Sequence, residues 1–220
     1  MTHSEITSTL DRIPVWHQKI DFFKNYTYNN GAWFLKENTL DDPYNDPQPS
    51  IYKKIHYGCG GNIIEGWLNI DLHEADTPGY QSVNLLERHP FRNDSVQFGF
   101  SEDMLEHLTQ AQSIFFLSEI YRTLEQDGVM RLSFPGLEGV LQRHYTPPTE
   151  ERVRTGELEA YTFWGHVHFY SKDELTVVAK HLGFRNIEFH EFCMSNYKAL
   201  SGLETRHTQS NLNIYAELTK

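Results

Sequence analysis

The chain has little cysteine, fewer basic than acidic residues, and no long apolar run. Its two cysteines, Cys59 and Cys193, cannot build a disulfide framework, so a reducing, cytoplasmic setting is expected. Nineteen Lys and Arg stand against 30 Asp and Glu, a formal net charge of −11 at pH 7. Affinity for nucleic acid comes from Lys and Arg neutralising phosphates, and the same residues hold anionic lipid surfaces. Neither polyanion is therefore expected as a partner. No stretch approaches the ~18 uninterrupted apolar residues of a membrane span. The opening MTHSEITSTLDRIPVW lacks the basic start and apolar stretch of a secretory signal.

What the chain does have is length and rings. Its 220 residues carry 14% aromatics and 12 histidines, and a chain of this size hides roughly 70% of its unfolded surface. Residues 1–50 hold Trp16, Phe22, Phe23, Tyr26, Tyr28, Trp33 and Phe34 without clean periodicity. They run into Asp41-Asp42-Pro43-Tyr44-Asn45-Asp46-Pro47-Gln48-Pro49, which is turn-rich. So many rings are not left in water. An N-terminal cap or arm is expected over 1–50. It would cover the main domain, as a structural cap or a substrate lid, or join two copies in a homo-oligomer. The main domain is expected over 51–220.

From residue 54 the pattern alternates strand and helix. Strands are expected at 54–57, 67–72, 82–85, 95–100 and 129–134. Thr109 and Gln112 form a capping-box signature, and Ile114, Leu117, Tyr121 and Leu124 follow on one helical face, with Gly128 as the terminating glycine. That face is more simply core than catalytic. Residues 136–170 show no firm period, and Pro147-Pro148 breaks them; they read as a variable excursion on the substrate side. Ser171 and Glu174 open a second helix ending near Gly183, and 187–192 and 212–218 read as adjacent strands. Alternating strands and helices imply an α/β, largely parallel, doubly wound sheet, with its ligand at the carboxyl ends of the strands.

The loop Gly58-Cys59-Gly60-Gly61 follows the first of these strands. In a nicotinamide-binding fold the acidic residue at the next strand end lies roughly 20 residues on, after a full helix. Here Asp71 follows Gly58 by only 13 residues. A pyrophosphate wants a helix N-terminus behind the glycines, whereas a nucleoside without phosphate does not. The spacing favours the latter. A glycine hairpin between antiparallel strands is the alternative, because parallel crossovers usually need a dozen or more residues.

The consecutive segments KIHYGCGGNIIEGWLNIDL, NLLERHPFRNDSVQFGF, SEDMLEHL and SEIYRTLEQDGVMRLSFPGLEG resemble the class I S-adenosylmethionine-dependent methyltransferases. They are similar to the branch with a GCGGN loop, which is often linked to polysaccharide and sugar modification. WGHVHFYSKDEL, AKHLGFRNIEF and NIYAEL continue the resemblance to the end of the chain. It implies a Rossmann-like, seven-stranded, mostly parallel sheet with an antiparallel last strand and helices on both faces. It implies S-adenosyl-L-methionine as cofactor, with Gly58, Cys59 and Gly60 against its methionine part, Asp71 and Leu72 at the ribose, and Asn84 and Leu85 at the adenine. Ser101 and Glu102 would border cofactor and reaction site. The family commonly has Asp where Asn84 stands, and an amide lacks the charge assistance.

Methyl transfer to a hydroxyl needs positioned partners and a base. His107 is the first candidate base; Asp103, four residues earlier, would share its helical face and orient the imidazole. His166 and His168 alternate on an extended stretch with Tyr170, so the three could line one wall, His168 as a second catalytic candidate and the others as substrate contacts. Two such histidines could ligate a metal if a carboxylate joined them; none is assigned. His144 and Tyr145 are further substrate-side candidates. The leading function is O-methylation of a sugar hydroxyl on a glycan, glycolipid or sugar nucleotide. A phenol or natural-product methyltransferase, a nicotinamide-dependent oxidoreductase and a non-catalytic partner subunit are the alternatives.

Overall fold

The computed structural model describes residues 26–29, 32–35, 52–72 and 76–220. The chain divides into two compact units, Met1–Asp46 and Pro47–Lys220. The first contains a hairpin of β1 (Tyr26–Asn29) and β2 (Ala32–Leu35), paired antiparallel with Tyr26 opposite Leu35. Asn30-Gly31 between them is the pair that two-residue hairpin turns favour. The cap, lid or oligomer role expected of 1–50 falls largely outside the described residues.

The second unit is a seven-stranded sheet. In chain order its strands are β3 (Lys54–Tyr57), β4 (Leu68–Asp71), β5 (Tyr80–Ser82), β6 (Val96–Glu102), β7 (Leu124–Pro135), β8 (Asn186–His190) and β9 (Asn213–Thr219). In space they run β5-β4-β3-β6-β7-β9-β8. The first five are parallel, and β9 runs antiparallel between β7 and β8. The order reverses beside β3, the switch point where such sheets open a crevice for ligands.

β3 and β4 are parallel, with Ile55 opposite Leu68. This excludes the glycine hairpin. A ten-residue crossover succeeds without a helix because Asn69 organises it. The Asn69 Oδ1 accepts from the Ile64 amide at 2.8 Å, and its Nδ2 donates to the carbonyls of Ile64, Trp67 and Gly79. Trp67 then packs with Phe100, Val129 and Leu200.

Helix α1 (Gln110–Thr123) carries the expected reciprocal capping box between Thr109 and Gln112. Its buried face is Ser113, Phe116, Leu117, Ile120 and Thr123, rotated from the expected one; Ile114 and Tyr121 are only half-buried. Burial of Phe116, Leu117 and Ile120 stabilises the unit by about 1.5–3 kcal/mol each. The helix ends at Thr123, and Gly128 belongs to β7 instead of capping it. A Cβ at Gly128 would lie 2.8 Å from the Glu125 carbonyl oxygen, so close backbone approach requires the glycine.

The third strand is shorter and earlier than expected. It stops at Ser82 because Asn84 Oδ1 accepts from the Leu86 amide and turns the chain, although Val83 and Leu85 remain buried. The excursion 136–170 contains α2 (Leu137–Tyr145), α3 (Glu150–Gly156) and a π-helical stretch Glu157–Phe163. Of α2 only Val140 is buried; Leu137 and Leu141, on the same helical face, are exposed. Helix α4 (Lys172–Leu182) starts at Ser171, whose hydroxyl accepts from the Glu174 amide, and ends on Gly183 at φ 107.

Candidate active site

The glycine loop leaves β3 at Gly58, where φ is +67 and a Cβ would stand 2.6 Å from Met104 Cγ. The Gly58 and Cys59 amides both donate to the Ile70 carbonyl. Asp71, at the end of β4, clamps the loop: its Oδ2 accepts from the Gly60 amide at 2.8 Å and its Oδ1 from the Leu72 amide at 2.6 Å. Each oxygen keeps a further lone pair for a ligand. Gly60 has φ +53 and nothing within 4 Å of its would-be Cβ, so the loop faces open space beside the carboxylate. Burial, reinforced by Asp71, pushes the Cys59 thiol up to about 11, which keeps it neutral and unreactive.

The other expected cofactor residues stand at neighbouring strand ends. Asn84 and Leu85 lie just beyond β5, with Asn84 Nδ2 donating to Glu87. Leu72 is exposed. Ser101 is buried in β6, and its hydroxyl has no partner among the described residues. Glu102 is already engaged: its carboxylate accepts from the Thr205 amide and hydroxyl and from the Arg206 amide. It fastens the 205–206 segment to the sheet.

Beyond the ends of β6 and β7 lies a cavity of about 440 Å³. Its lining mixes charge with rings: Asp103, Glu106, His107, Arg143, His144, Glu159, Trp164, His166, Phe169, Arg206 and Gln209 take part. The expected pairing of Asp103 with His107 on one helical face is corrected by the geometry. Asp103 has φ 51 and lies outside the short turn Leu105–His107, so no helix aligns the two. Its carboxylate instead meets Arg206 Nε at 3.0 Å and Asn213 Nδ2 at 3.2 Å. Burial, with Glu102 adjacent, raises its pKa.

The expected wall of His166, His168 and Tyr170 also divides. His166 faces the cavity. His168 Nε2 lies 2.9 Å from Glu174 Oε1, and Tyr170 is fully buried in the core with its hydroxyl 2.7 Å from that of Ser113. The stretch is extended but unpaired by any strand, so alternation does not hold its side chains to one face. His144 lines the cavity, whereas Tyr145 packs with Val140, Ala160 and Phe169.

Glu106 is the residue that sequence reasoning passed over. Its side chain is wholly excluded from solvent, and neither carboxylate oxygen has a hydrogen-bond partner. Desolvation, with Asp103 beside it, pushes it up to about 8. Its backbone carbonyl accepts from the Val167 and His168 amides, which brings His166 alongside. The His107 and His166 rings stand 4.9 Å apart, centroid to centroid. Burial lowers the pKa of both, His166 to about 4 with His107 contributing, so both imidazoles are neutral near pH 7. The available signal was an acid inside the otherwise apolar LEHL stretch. Arg206 and Gln209 come from a segment with no readable motif.

No protein-family model matches the chain, and no curated protein is similar to it in sequence. Solved structures are similar in fold. An S-adenosylmethionine-dependent methyltransferase from Thermotoga maritima superposes with a TM-score of 0.52 at 15% identity, over 76% of this chain and 81% of that one. Others from Archaeoglobus fulgidus and Mesorhizobium loti give 0.50 each, at 13% and 16% identity; they cover 78% and 76% of this chain and 87% and 90% of their own. The unit Pro47–Lys220 therefore has the Rossmann-like fold of S-adenosylmethionine-dependent methyltransferases. Among the described residues, no helix is long and apolar enough to cross a membrane.

Proposed function

We propose that this chain is an S-adenosylmethionine-dependent methyltransferase acting on a hydroxylated acceptor, with a sugar hydroxyl as the leading class. The observation that carries the reading is the Asp71 clamp on a glycine loop at the switch point of the sheet. The residues fit the cofactor: open space over Gly60 accommodates its amino-acid part, and Asp71 keeps lone pairs for the ribose hydroxyls. Asn84, Leu85 and the unpartnered Ser101 hydroxyl complete that set. When bound, the cofactor would supply an electrophilic methyl group on a sulfonium.

The chain's own part is to position, exclude water and receive a proton. The cavity suits a sugar, because the exposed Trp164 offers a flat apolar surface while Arg143, His144, Glu159 and Gln209 offer hydrogen bonds. The cluster of Glu106, His107 and His166 lies at the edge of the cavity, where it would activate the acceptor's hydroxyl. A nicotinamide cofactor is disfavoured, since the 58–67 crossover presents no helix N-terminus to a pyrophosphate.

Calorimetry with S-adenosylmethionine and S-adenosylhomocysteine tests the cofactor half. Asp71→Ala should weaken binding on the order of a hundredfold, as two charge-assisted hydrogen bonds are lost. Absence of binding by the parent protein overturns the reading. Transfer of a radiolabelled methyl group to sugars, glycolipids or phenols then separates the acceptor classes. Cofactor binding without turnover on any of them would instead favour a non-catalytic partner subunit.

A further inference from the structure

We infer that Glu106, His107 and His166 form a site for a divalent transition-metal ion of the zinc class, at the edge of the cavity. One ligand atom from each lies within 4.8 Å of the others. The Glu106 Oε1 is 3.9 Å from His107 Nε2 and 3.9 Å from His166 Nε2. A tetrahedral ion with bonds of about 2.0–2.1 Å spaces its ligand atoms about 3.4 Å apart, so each Glu106–histidine distance needs to shorten by about half an ångström. Two imidazoles and one carboxylate are a donor set that zinc and its neighbours use, leaving a coordination position free.

The second observation is the carboxylate itself. Glu106 is sealed from water with both oxygens unpartnered. A buried carboxyl needs a donor or a cation when ionised and an acceptor when protonated. Among the described residues neither stands within hydrogen-bond distance, and 3.9 Å is too long for an imidazole to serve. An ion between the three groups answers the need of all of them.

The surroundings hold the ligands in place. The amides of Val167 and His168 on the Glu106 carbonyl hold the His166 segment against Glu106. Glu188, His190 and Glu217 make a second convergent trio, but there the Arg131 guanidinium already meets Glu217 at 2.9 Å. The free position at Glu106 opens on the cavity, so the ion's remaining ligand would be an oxygen donor. That this donor is the acceptor hydroxyl rests on the methyltransferase reading; the metal site does not.

The test uses the full chain freed of metal by a chelator. Cobalt(II) is titrated with visible absorption as the readout, followed by displacement with zinc. The expected result is one tight equivalent with ligand-field bands. His107→Ala and His166→Ala should each weaken it on the order of a hundredfold, and Glu188→Gln should leave it unchanged. The half-exposed His107 can be removed without unfolding the chain, so that variant decides the matter if His166→Ala fails to fold. Equal affinity in the parent and His107→Ala, or no tight equivalent in the parent, overturns the proposal. Asp71→Ala should keep the cobalt spectrum while losing cofactor affinity, so the two readings fail separately.

Discussion

The fold treats the buried acid around Arg131 and the buried acid around Glu106 differently. Arg131 is fully buried in the middle of β7, opposite Glu217 on β9. Its guanidinium contacts Glu204 and Glu217 and lies 5.9 Å above the Tyr215 ring, while His190 approaches the other Glu217 oxygen at 3.1 Å. There the counter-charge comes from within the chain, and the result is architecture: Glu204 draws the 204–206 segment onto the sheet, where Glu102 holds it. Glu106 has the same burial and two neighbouring imidazoles but, among the described residues, no Lys or Arg nitrogen within ion-pair distance. It faces a cavity instead of a neighbouring strand. A carboxylate neutralised internally belongs to the scaffold; one left bare beside a cavity is available to something that arrives.

The largest effect that could break this contrast lies on the scaffold side. Arg131→Met leaves Glu204 and Glu217 buried without a counter-charge and should cost about 3–5 kcal/mol in urea unfolding. Replacing Arg131, Glu204 and Glu217 together with apolar residues of similar volume should recover most of that loss, since the paired charges themselves add little net stability. A cost below about 1 kcal/mol for Arg131→Met would mean that the guanidinium is not what neutralises this region.

On the cavity side the sign reverses. Glu106, raised to about 8, holds its proton in the folded state but releases it near 4.5 when unfolded. Between those values the folded state binds more protons, so the contribution is complete at low pH and is lost as pH rises to about 8. Glu106→Gln lacks this loss. In metal-free protein the variant should match the parent near pH 4.5 and exceed it by roughly 1–3 kcal/mol near pH 8. Thermal unfolding across that range checks it; parallel curves would mean that Glu106 has a partner after all.

These two clusters also mark where the sequence could be read. The glycine loop, Asp71, the Thr109–Gln112 capping box and the Ser171 cap are local signals, each contained within a few residues, and a largely parallel sheet follows from the alternation of strand and helix. Glu106 and His166 are 60 positions apart and meet because backbone amides at 167 and 168 reach the Glu106 carbonyl. Nothing in a periodicity announces that contact. Asp103 and His107 carried the opposite lesson: their spacing suited a helix, but the left-handed backbone at Asp103 broke it and gave its carboxylate to Arg206. Helices α2 and α3 escaped notice for a third reason: each is only nine or seven residues long, too short for its spacing to stand out beside Pro147-Pro148.

The smallest effect compares the histidines of the two regions. His190 has a side chain 14% exposed and stands 3.1 Å from a Glu217 oxygen. His190→Ala removes a short, mostly buried polar contact and should cost about 1–2 kcal/mol. His107 is 42% exposed, its approach to Glu106 is 3.9 Å, and in metal-free protein it is neutral. Removing it takes away little packing and no ion pair, so His107→Ala should change unfolding free energy by less than about 0.5 kcal/mol. Adding zinc should then separate the two further. An ion that binds the folded state alone stabilises it in proportion to the logarithm of its concentration over Kd. The parent and His190→Ala should both gain thermal stability with zinc, and His107→Ala should gain much less. If His107→Ala proves as costly as His190→Ala without metal, then both histidines are scaffold and the distinction between the regions dissolves.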